Sequence, residues 1–181
     1  MNIPETGRPC LIRPARPEEM PGLLPALAEV EKAAASIFPP GSIPEYIRDD
    51  NCPPELLLEG AQNGSLWLAF PEGAEQTPVG FALLCMFEDL ALLAQMDVHP
   101  DYARQGLGRR MLAEAVRAAS RAGFAAMYLT TFARVPWNAP YYARLGFQAL
   151  QAGEQPPRIR EILADEAAAG LKDRLAMRMA L

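Results

Sequence analysis

One segment in the middle of the chain, Val98 to Leu112 (VHPDYARQGLGRRML), restricts the fold more than any other. The apolar run ending in Val98 reads as a strand, and His99-Pro100-Asp101 turns the chain. Arg104-Gln105-Gly106-Leu107-Gly108-Arg109 then opens an alanine-rich segment with helical periodicity. A strand that passes through glycines into a helix leaves several backbone N–H groups unpaired at one point, with the positive end of the helix dipole behind them. Such a corner binds anions, and phosphate is its usual guest. Gly106 and Gly108 let the backbone approach a ligand closely or take positive φ. Arg104, Arg109 and Arg110 add long-range attraction. The competing reading is a tight turn with solvated arginines; the upstream strand and the clustering of basic residues at the helix entry favour binding.

The rest of the chain can be arranged around that corner. Cys10–Arg13 reads as a first strand. Leu23, Leu24, Leu27, Val30, Ala34 and Ile37 recur at helical spacing within 17–38, although Pro21 and Pro25 break the helix or delay its start. A Pro-rich loop with room for one helical turn covers Phe38–Pro54, and Leu56–Gln62 is a second short helix. Strands follow at Ser65–Phe70, Val79–Phe87 and Leu90–Val98, the last two paired as a hairpin across Glu88-Asp89. The helix Gly108–Ala122 carries Leu107, Met111, Ala115, Val116 and Ala119 along one side. It crosses over to a strand at Ala125–Phe132, which a right-handed connection makes a parallel neighbour of Leu90–Val98. Arg134–Gly146 holds a turn and a short helix that Asn138 is placed to cap. A strand at Phe147–Leu150, a helix at Arg158–Ala169 and a strand at Arg174–Leu181 complete the chain.

The length of 181 residues suits one domain spanning 1–181. A net charge of −5 argues against nucleic acid as a partner and is compatible with a cationic substrate. Cys10, Cys52 and Cys85 are odd in number and widely spaced, with a single histidine in the chain, so neither a zinc site nor a disulfide framework follows. They read as buried or half-buried free thiols. No apolar signal core opens the sequence and no run approaches 18 apolar residues, so the expectation is a cytoplasmic protein without a membrane partner.

The turn Arg104-Gln105-Gly106-Leu107-Gly108 behind Val98-His99-Pro100, followed by Tyr142-Ala143-Arg144-Leu145-Gly146-Phe147, resembles the GNAT superfamily of acetyl-CoA-dependent N-acyltransferases. The run Trp137-Asn138-Ala139-Pro140-Tyr141-Tyr142 looks like that of a small bacterial branch. The resemblance implies an α/β (α+β) fold: a mixed, mostly antiparallel central sheet, helices on both sides, and one splayed parallel strand pair. It implies acetyl-CoA as cofactor, with its pyrophosphate on the amides of Arg104, Gln105, Gly106, Leu107, Gly108 and Arg109. The pantothenate arm would lie along the backbone of Met96, Asp97 and Val98 as an added strand does. An N–H near Met96 or Val98 would polarise the thioester carbonyl and hold the oxyanion.

Tyr142 matches the family's tyrosine that protonates the leaving thiolate; the competing reading packs its ring beneath the last strands, with Tyr141 an equally available core aromatic. Asn138 matches an asparagine that touches the CoA arm, at a shorter spacing than the common form. Two departures stand out. Ala103 occupies the place of a usual Gln or Arg, and Leu92 and Ala94 occupy places where many members carry a glutamate as general base. Asp97 is the only carboxylate in the strand, and Glu31 on the first helix is the other acidic residue expected at the acceptor; Glu31 beside Lys32 on a solvated helix face is the competing reading. His99 is read as pointing to solvent.

The expected reaction is direct transfer of acetyl to a primary amine of a small molecule or peptide, without a covalent enzyme intermediate. A non-catalytic acyl-CoA-binding sensor on the same fold is the alternative, and the missing strand glutamate is what speaks for it. A nucleotide-binding protein fits less well, since the turn lacks the Lys and Ser/Thr of a P-loop. The last helix and strand offer a surface for a homodimer.

Overall fold

The computed structural model describes residues 8–48 and 51–181. One sheet of seven strands runs through the described chain: β1 (Cys10–Pro14), β2 (Leu66–Pro71), β3 (Gly80–Met86), β4 (Ala91–Val98), β5 (Ala126–Phe132), β6 (Gln148–Ala149) and β7 (Arg174–Ala180). Their spatial order is β1-β2-β3-β4-β5-β7-β6. Every neighbouring pair is antiparallel except β4 and β5, which are parallel. Five α-helices cover the sheet: α1 (Met20–Ser36), α2 (Pro54–Gln62), α3 (Leu107–Arg121), α4 (Ala139–Arg144) and α5 (Pro157–Ala168).

Side-chain alternation assigns the helices to faces. Trp67, Ala82, Leu93, Met127 and Leu129 meet Leu107, Met111, Leu112 and Ala115 of α3 and Tyr142 of α4 on one side. Leu66, Leu68, Phe70, Phe81 and Leu83 meet Met20, Leu27 and Val30 of α1 and Leu57 of α2 on the other. Ile159 of α5 joins that second side against Leu92 and Ala176. Burial of Leu107, Met111 and Leu112 contributes roughly 1.5–3 kcal/mol apiece and pins α3, and with it the turn that precedes α3, to the sheet.

Two departures from the expected elements have clear causes. The first helix starts at Met20, not Pro17. Pro17–Glu19 forms a 3-10 turn instead, whose Glu19 side chain accepts the Arg16 N–H at 3.0 Å and clasps the Arg13 guanidinium at 2.6 and 2.9 Å. Pro21 then sits in the first turn, where its missing N–H costs nothing, and Pro25 is accommodated inside the helix. The expected strand at 147–150 shrinks to Gln148–Ala149 at the sheet edge.

The sheet is irregular at β4, in two ways. Leu84 pairs with Leu93 but Leu83 pairs with Gln95, so Ala94 is an extra, bulged residue. Unbroken alternation would put Ala94 and Met96 on the Leu92 face. The bulge instead gives that face to Gln95 and Asp97, opposite Leu83 and Phe81, and turns Met96 and Val98 toward α3. Second, β4 and β5 pair only at Ala91–Met127 and Leu92–Tyr128. Beyond Leu92 the two parallel strands part, and a cleft opens between them.

Candidate functional site

The floor of the cleft is the edge of β4. The His99 N–H donates to the Val79 carbonyl at 2.8 Å, and continuing that antiparallel register places Asp97 opposite Phe81 and Gln95 opposite Leu83. Ladder bonds alternate along an antiparallel pair, so the amides of Gln95 and Asp97 face β3 while those of Met96 and Val98 face the opening. A strand edge without a partner is a template for an extended ligand.

At the end of β4 the chain enters α3 through a turn with two left-handed residues, Gly106 (φ 78) at the N-cap and Arg104 (φ 59). Arg104 is one of only two non-glycine residues with positive φ among the described residues, and strain of that kind gathers at functional turns. An added Cβ at Gly106 would meet nothing within 4 Å, so the turn is open on its outer side. Gly108 is tighter: a Cβ there would stand 3.1 Å from the Tyr141 Oη and 3.7 Å from the Met96 Cε. Gly108 therefore joins the turn, β4 and α4 at one point. Among the described residues no side chain caps α3 at Gly106, and the first N–H groups of the helix, those of Leu107, Gly108 and Arg109, have no partner within the helix itself.

The surrounding side chains divide between structure and solvent. Gln105 is tied down, with its Oε1 accepting the Arg8 N–H at 2.8 Å and its Nε2 donating to the Asp101 carbonyl at 2.9 Å. Arg110 donates to the Cys10 carbonyl at 2.9 Å and anchors β1, so the charge expected from it at the turn is committed elsewhere. Arg109 is exposed. His99 keeps about a third of its side chain exposed, 36%, and its Nδ1 accepts the Asp101 N–H at 3.3 Å. These features suit a phosphorylated, extended cofactor such as coenzyme A: an unpaired strand edge leads straight to an open, amide-bearing helix start.

On the opposite face of β4 lies a cavity of about 300 Å³ that brings together Glu31 from α1, Cys52 from the Pro-rich loop, Gln95 and Asp97 from β4, and Phe38, Ile43 and Phe132 as apolar wall. Glu31 is only 7% exposed, so it is not on a solvated face. Its Oε2 accepts the Cys52 N–H at 2.7 Å, which fixes the loop against α1. Asp97 accepts a 2.6 Å hydrogen bond from the Gln95 amide. Burial raises the Asp97 carboxyl to about 6 despite that bond, which works in the opposite direction. The Cys52 thiol is pushed up to about 12 by burial first and by Glu31 next, so it stays protonated and is a poor nucleophile.

Tyr142 sits on α4, 9% exposed, with its ring edge-on to Tyr141 and Phe147 at centroid distances of 5.4 and 5.7 Å. Burial raises its phenol above the ordinary value, Tyr141 and Asp97 add to the rise, and Arg174 opposes it. The phenol is thus within electrostatic reach of Asp97, and its ring packs in the core as the competing reading expects. Asn138 stands at the N-cap of α4, but its side chain makes no capping bond; Pro140 and the Asn138 carbonyl, which accepts from Tyr141 and Tyr142 at 2.8 and 3.0 Å, start the helix instead. That leaves the Asn138 amide side chain outside the helix start.

The residues 27–147 match the model of the Acetyltransferase (GNAT) family. The chain belongs to that family. Its reaction class is therefore acyl transfer, with acetyl-CoA as the donor. The fold is shared with the PaiA N-acetyltransferase of Thermoplasma acidophilum, solved with coenzyme A, at 20% identity and a TM-score of 0.64 over 96% of this chain and 99% of that one. The ribosomal-protein-S18-alanine N-acetyltransferase of Escherichia coli is similar at 20% identity and a TM-score of 0.58, with coverage of 95% and 94%. N-acetylglutamate synthase of Neisseria gonorrhoeae, solved with coenzyme A and N-acetyl-glutamate, aligns at 20% identity and a TM-score of 0.66; 95% of this chain matches 35% of that one. At these identities the likeness is one of fold.

Of the residues lining the acetyltransferase's cavity, only Glu31 and Asp97 are expected site residues; Gln95, Cys52 and Phe132 are among those that the sequence expectations do not place there. Gln95 and Asp97 stand two apart on a strand, which already puts them on one face. That this face is the α1 side depends on the bulge at Ala94, for which the sequence carries no glycine or other mark. Cys52 and Phe132 are brought in by the loop and by the parting of β5 from β4. Among the described residues no group of His, Cys, Asp and Glu is placed to hold a metal, and no helix is long and apolar enough to cross a membrane.

Proposed function

We propose that this acetyltransferase moves an acetyl group from acetyl-CoA to a primary amine by direct attack, with the amine entering from the Glu31–Asp97 side of β4. Acetyl-CoA supplies the activated acyl thioester. The amides of Gln105–Arg109 hold its diphosphate, the edge of Met96, Asp97 and Val98 receives the pantothenate arm, and Arg104 and Asn138 flank it. The Met96 or Val98 N–H, facing the opening, is aimed to stabilise negative charge on the carbonyl oxygen during attack.

Asp97 and Glu31 draw the ammonium in, and Asp97 takes its proton. An amine of pKa near ~10.4 is almost wholly protonated at pH 7, so a base on this face is required. A carboxyl raised to about 6 is a stronger base than an ordinary aspartate yet remains ionised at neutral pH. Tyr142 donates its proton to the departing sulfur as the C–S bond breaks; burial keeps the phenol protonated throughout the working range.

One observation carries this reading: the cleft has an amide-lined edge on one strand and, on the other face of the same strand, two carboxylates in a partly open cavity. The absence of a glutamate at 92 or 94 favoured a non-catalytic sensor, and Asp97 on the acceptor face answers that departure. The raised Cys52 thiol supports direct attack over an acyl-cysteine route. A cytoplasmic setting is supported by three free thiols, and a homodimer by α5, of which only Ile159 is buried.

Acetyl-CoA turnover across a panel of primary amines tests the reading, with Tyr142→Phe alongside. The expected result is intersecting lines in two-substrate kinetics and a fall in kcat of about 10²-fold or more in the variant, with CoA affinity retained. Parallel lines, or an unchanged kcat in the variant, would contradict it.

A further inference from the structure

We infer that the acceptor is a small apolar amine, alkyl or arylalkyl, with no carboxylate on the carbon that bears the nitrogen. The inference rests on the acetyl-transfer reading and names the substrate of that same site.

Charge decides the first half. The cavity presents two carboxylates, Glu31 and Asp97, and none of the residues lining it is a lysine, arginine or histidine. The two guanidiniums closest to its walls are engaged. Arg48 donates to the Ala35 and Phe38 carbonyls at 3.1 and 3.2 Å and pairs with Glu45 at 3.1 Å. Arg174 is held by both Glu166 oxygens at 2.6 and 2.9 Å and lies over the Phe132 ring. Residues 1–7 and 49–50, outside the described chain, contain no basic side chain by sequence.

The neutral polar groups of the wall are the Cys52 N–H, the Gln95 amide and the Asn51 side chain, and none of them carries a charge that could offset a third carboxylate. The Cys52 N–H is bonded to Glu31 and the Gln95 amide to Asp97. In an α-amino acid the carboxylate is two bonds from the nitrogen and travels wherever the nitrogen goes. Seating that nitrogen between Glu31 and Asp97 would press a third carboxylate against them in a partly buried pocket, where like charges are screened less than in open water. An amine without that group meets the Glu31 and Asp97 oxygens as acceptors for its N–H bonds.

Shape decides the second half. Apart from the acids and the polar groups of Asn51, Cys52 and Gln95, the wall is Ala35, Phe38, Ile43 and Phe132, with the edge of Phe38 against Phe132 at 5.5 Å and against Trp137 at 5.7 Å. A space of about 300 Å³, at the small end for ligand pockets, takes one ring or a short branched chain. A second ammonium pushed against that wall would lose its hydration without a partner.

The test compares three acceptors with one side chain: 2-phenylethylamine, L-phenylalaninamide and L-phenylalanine, with spermidine as a fourth. The expected result is at least tenfold higher kcat/KM for the amine and the amide than for the amino acid, and for the amine than for spermidine. An amino acid equal to its amine, an amide as poor as the acid, or a preference for spermidine would overturn the inference. Calorimetric titration of the CoA-loaded protein with the same four compounds separates the two proposals. Selective binding of 2-phenylethylamine without turnover keeps the acceptor assignment and removes the transfer reading; turnover with the reverse preference does the opposite. Neither binding nor turnover of any of the four overturns both.

Discussion

Asp97 carries two opposed demands in one side chain. Its folded-state pKa of about 6 lies above the ordinary 3.8, so the folded protein binds a proton that the unfolded chain releases between those values. The penalty for holding the ionised form is absent below pH 3.8, grows as pH rises toward 6, and is complete above it, at up to about 3 kcal/mol. Asp97→Asn is therefore expected to raise the Tm relative to wild type at pH 7, and the gap is expected to close as pH is lowered to 4. Thermal melts of both proteins across that range measure it. The same substitution removes the base. The wild type is expected to show a break near pH 6 in log kcat/KM, separate from the amine's own titration, and Asp97→Asn to lose both that break and most of its activity. A variant more active or less stable than wild type at pH 7 would refute this account of Asp97. Candidate residues are legible where chemistry marks them: the glycines of the turn, the lone strand carboxylate, and a tyrosine at motif spacing. Gln95 and Cys52 carry no such mark, because their place in the cavity comes from the backbone around them.

At the scale of elements, the bulge in β4 and the close approach of β3 to β4 set where Asp97 stands. Gly80 faces the Asp97 carbonyl, and a Cβ built there would come within 2.9 Å of that oxygen and 3.2 Å of the Met111 Cε. Gly80→Ala must therefore push β4 away from β3 next to the site, or displace α3. The expected cost is roughly 1–3 kcal/mol in chemical denaturation, with a loss of kcat/KM larger than the stability change alone explains at 25 °C. Full activity in a variant of unchanged stability would show that β4 tolerates the shift. Strand and helix identities were readable from periodicity, since one buried face repeats every second or every third to fourth residue. Helix starts were less so. Three prolines near the head of α1 compete with its apolar pattern, and the choice of Met20 falls to the Arg13–Glu19 pairing across the entry. The bulge is invisible for a similar reason: Ala94 suits either face, and the register is decided by which neighbours pack better.

For the whole molecule, a sheet that is continuous at one end of the β4–β5 pair and parted at the other produces a cleft. The edge of β4 runs toward the helix start at Gly106, and the acidic cavity lies on the α1 face of the same strand. Chain order and the right-handed crossover through α3 made the parallel pair readable in advance. How far the two strands stay together was not, because only two residue pairs hold them and the rest of the edge is free for a ligand. The account stands on that free edge, and a crystal structure of the acetyl-CoA complex tests it most directly. The predicted result is a diphosphate on the amides of Gln105–Arg109 and a pantothenate arm bonded along Met96–Val98 between β4 and β5. Cofactor bound elsewhere, or β4 and β5 zipped together beyond Leu92 in the loaded protein, would contradict it.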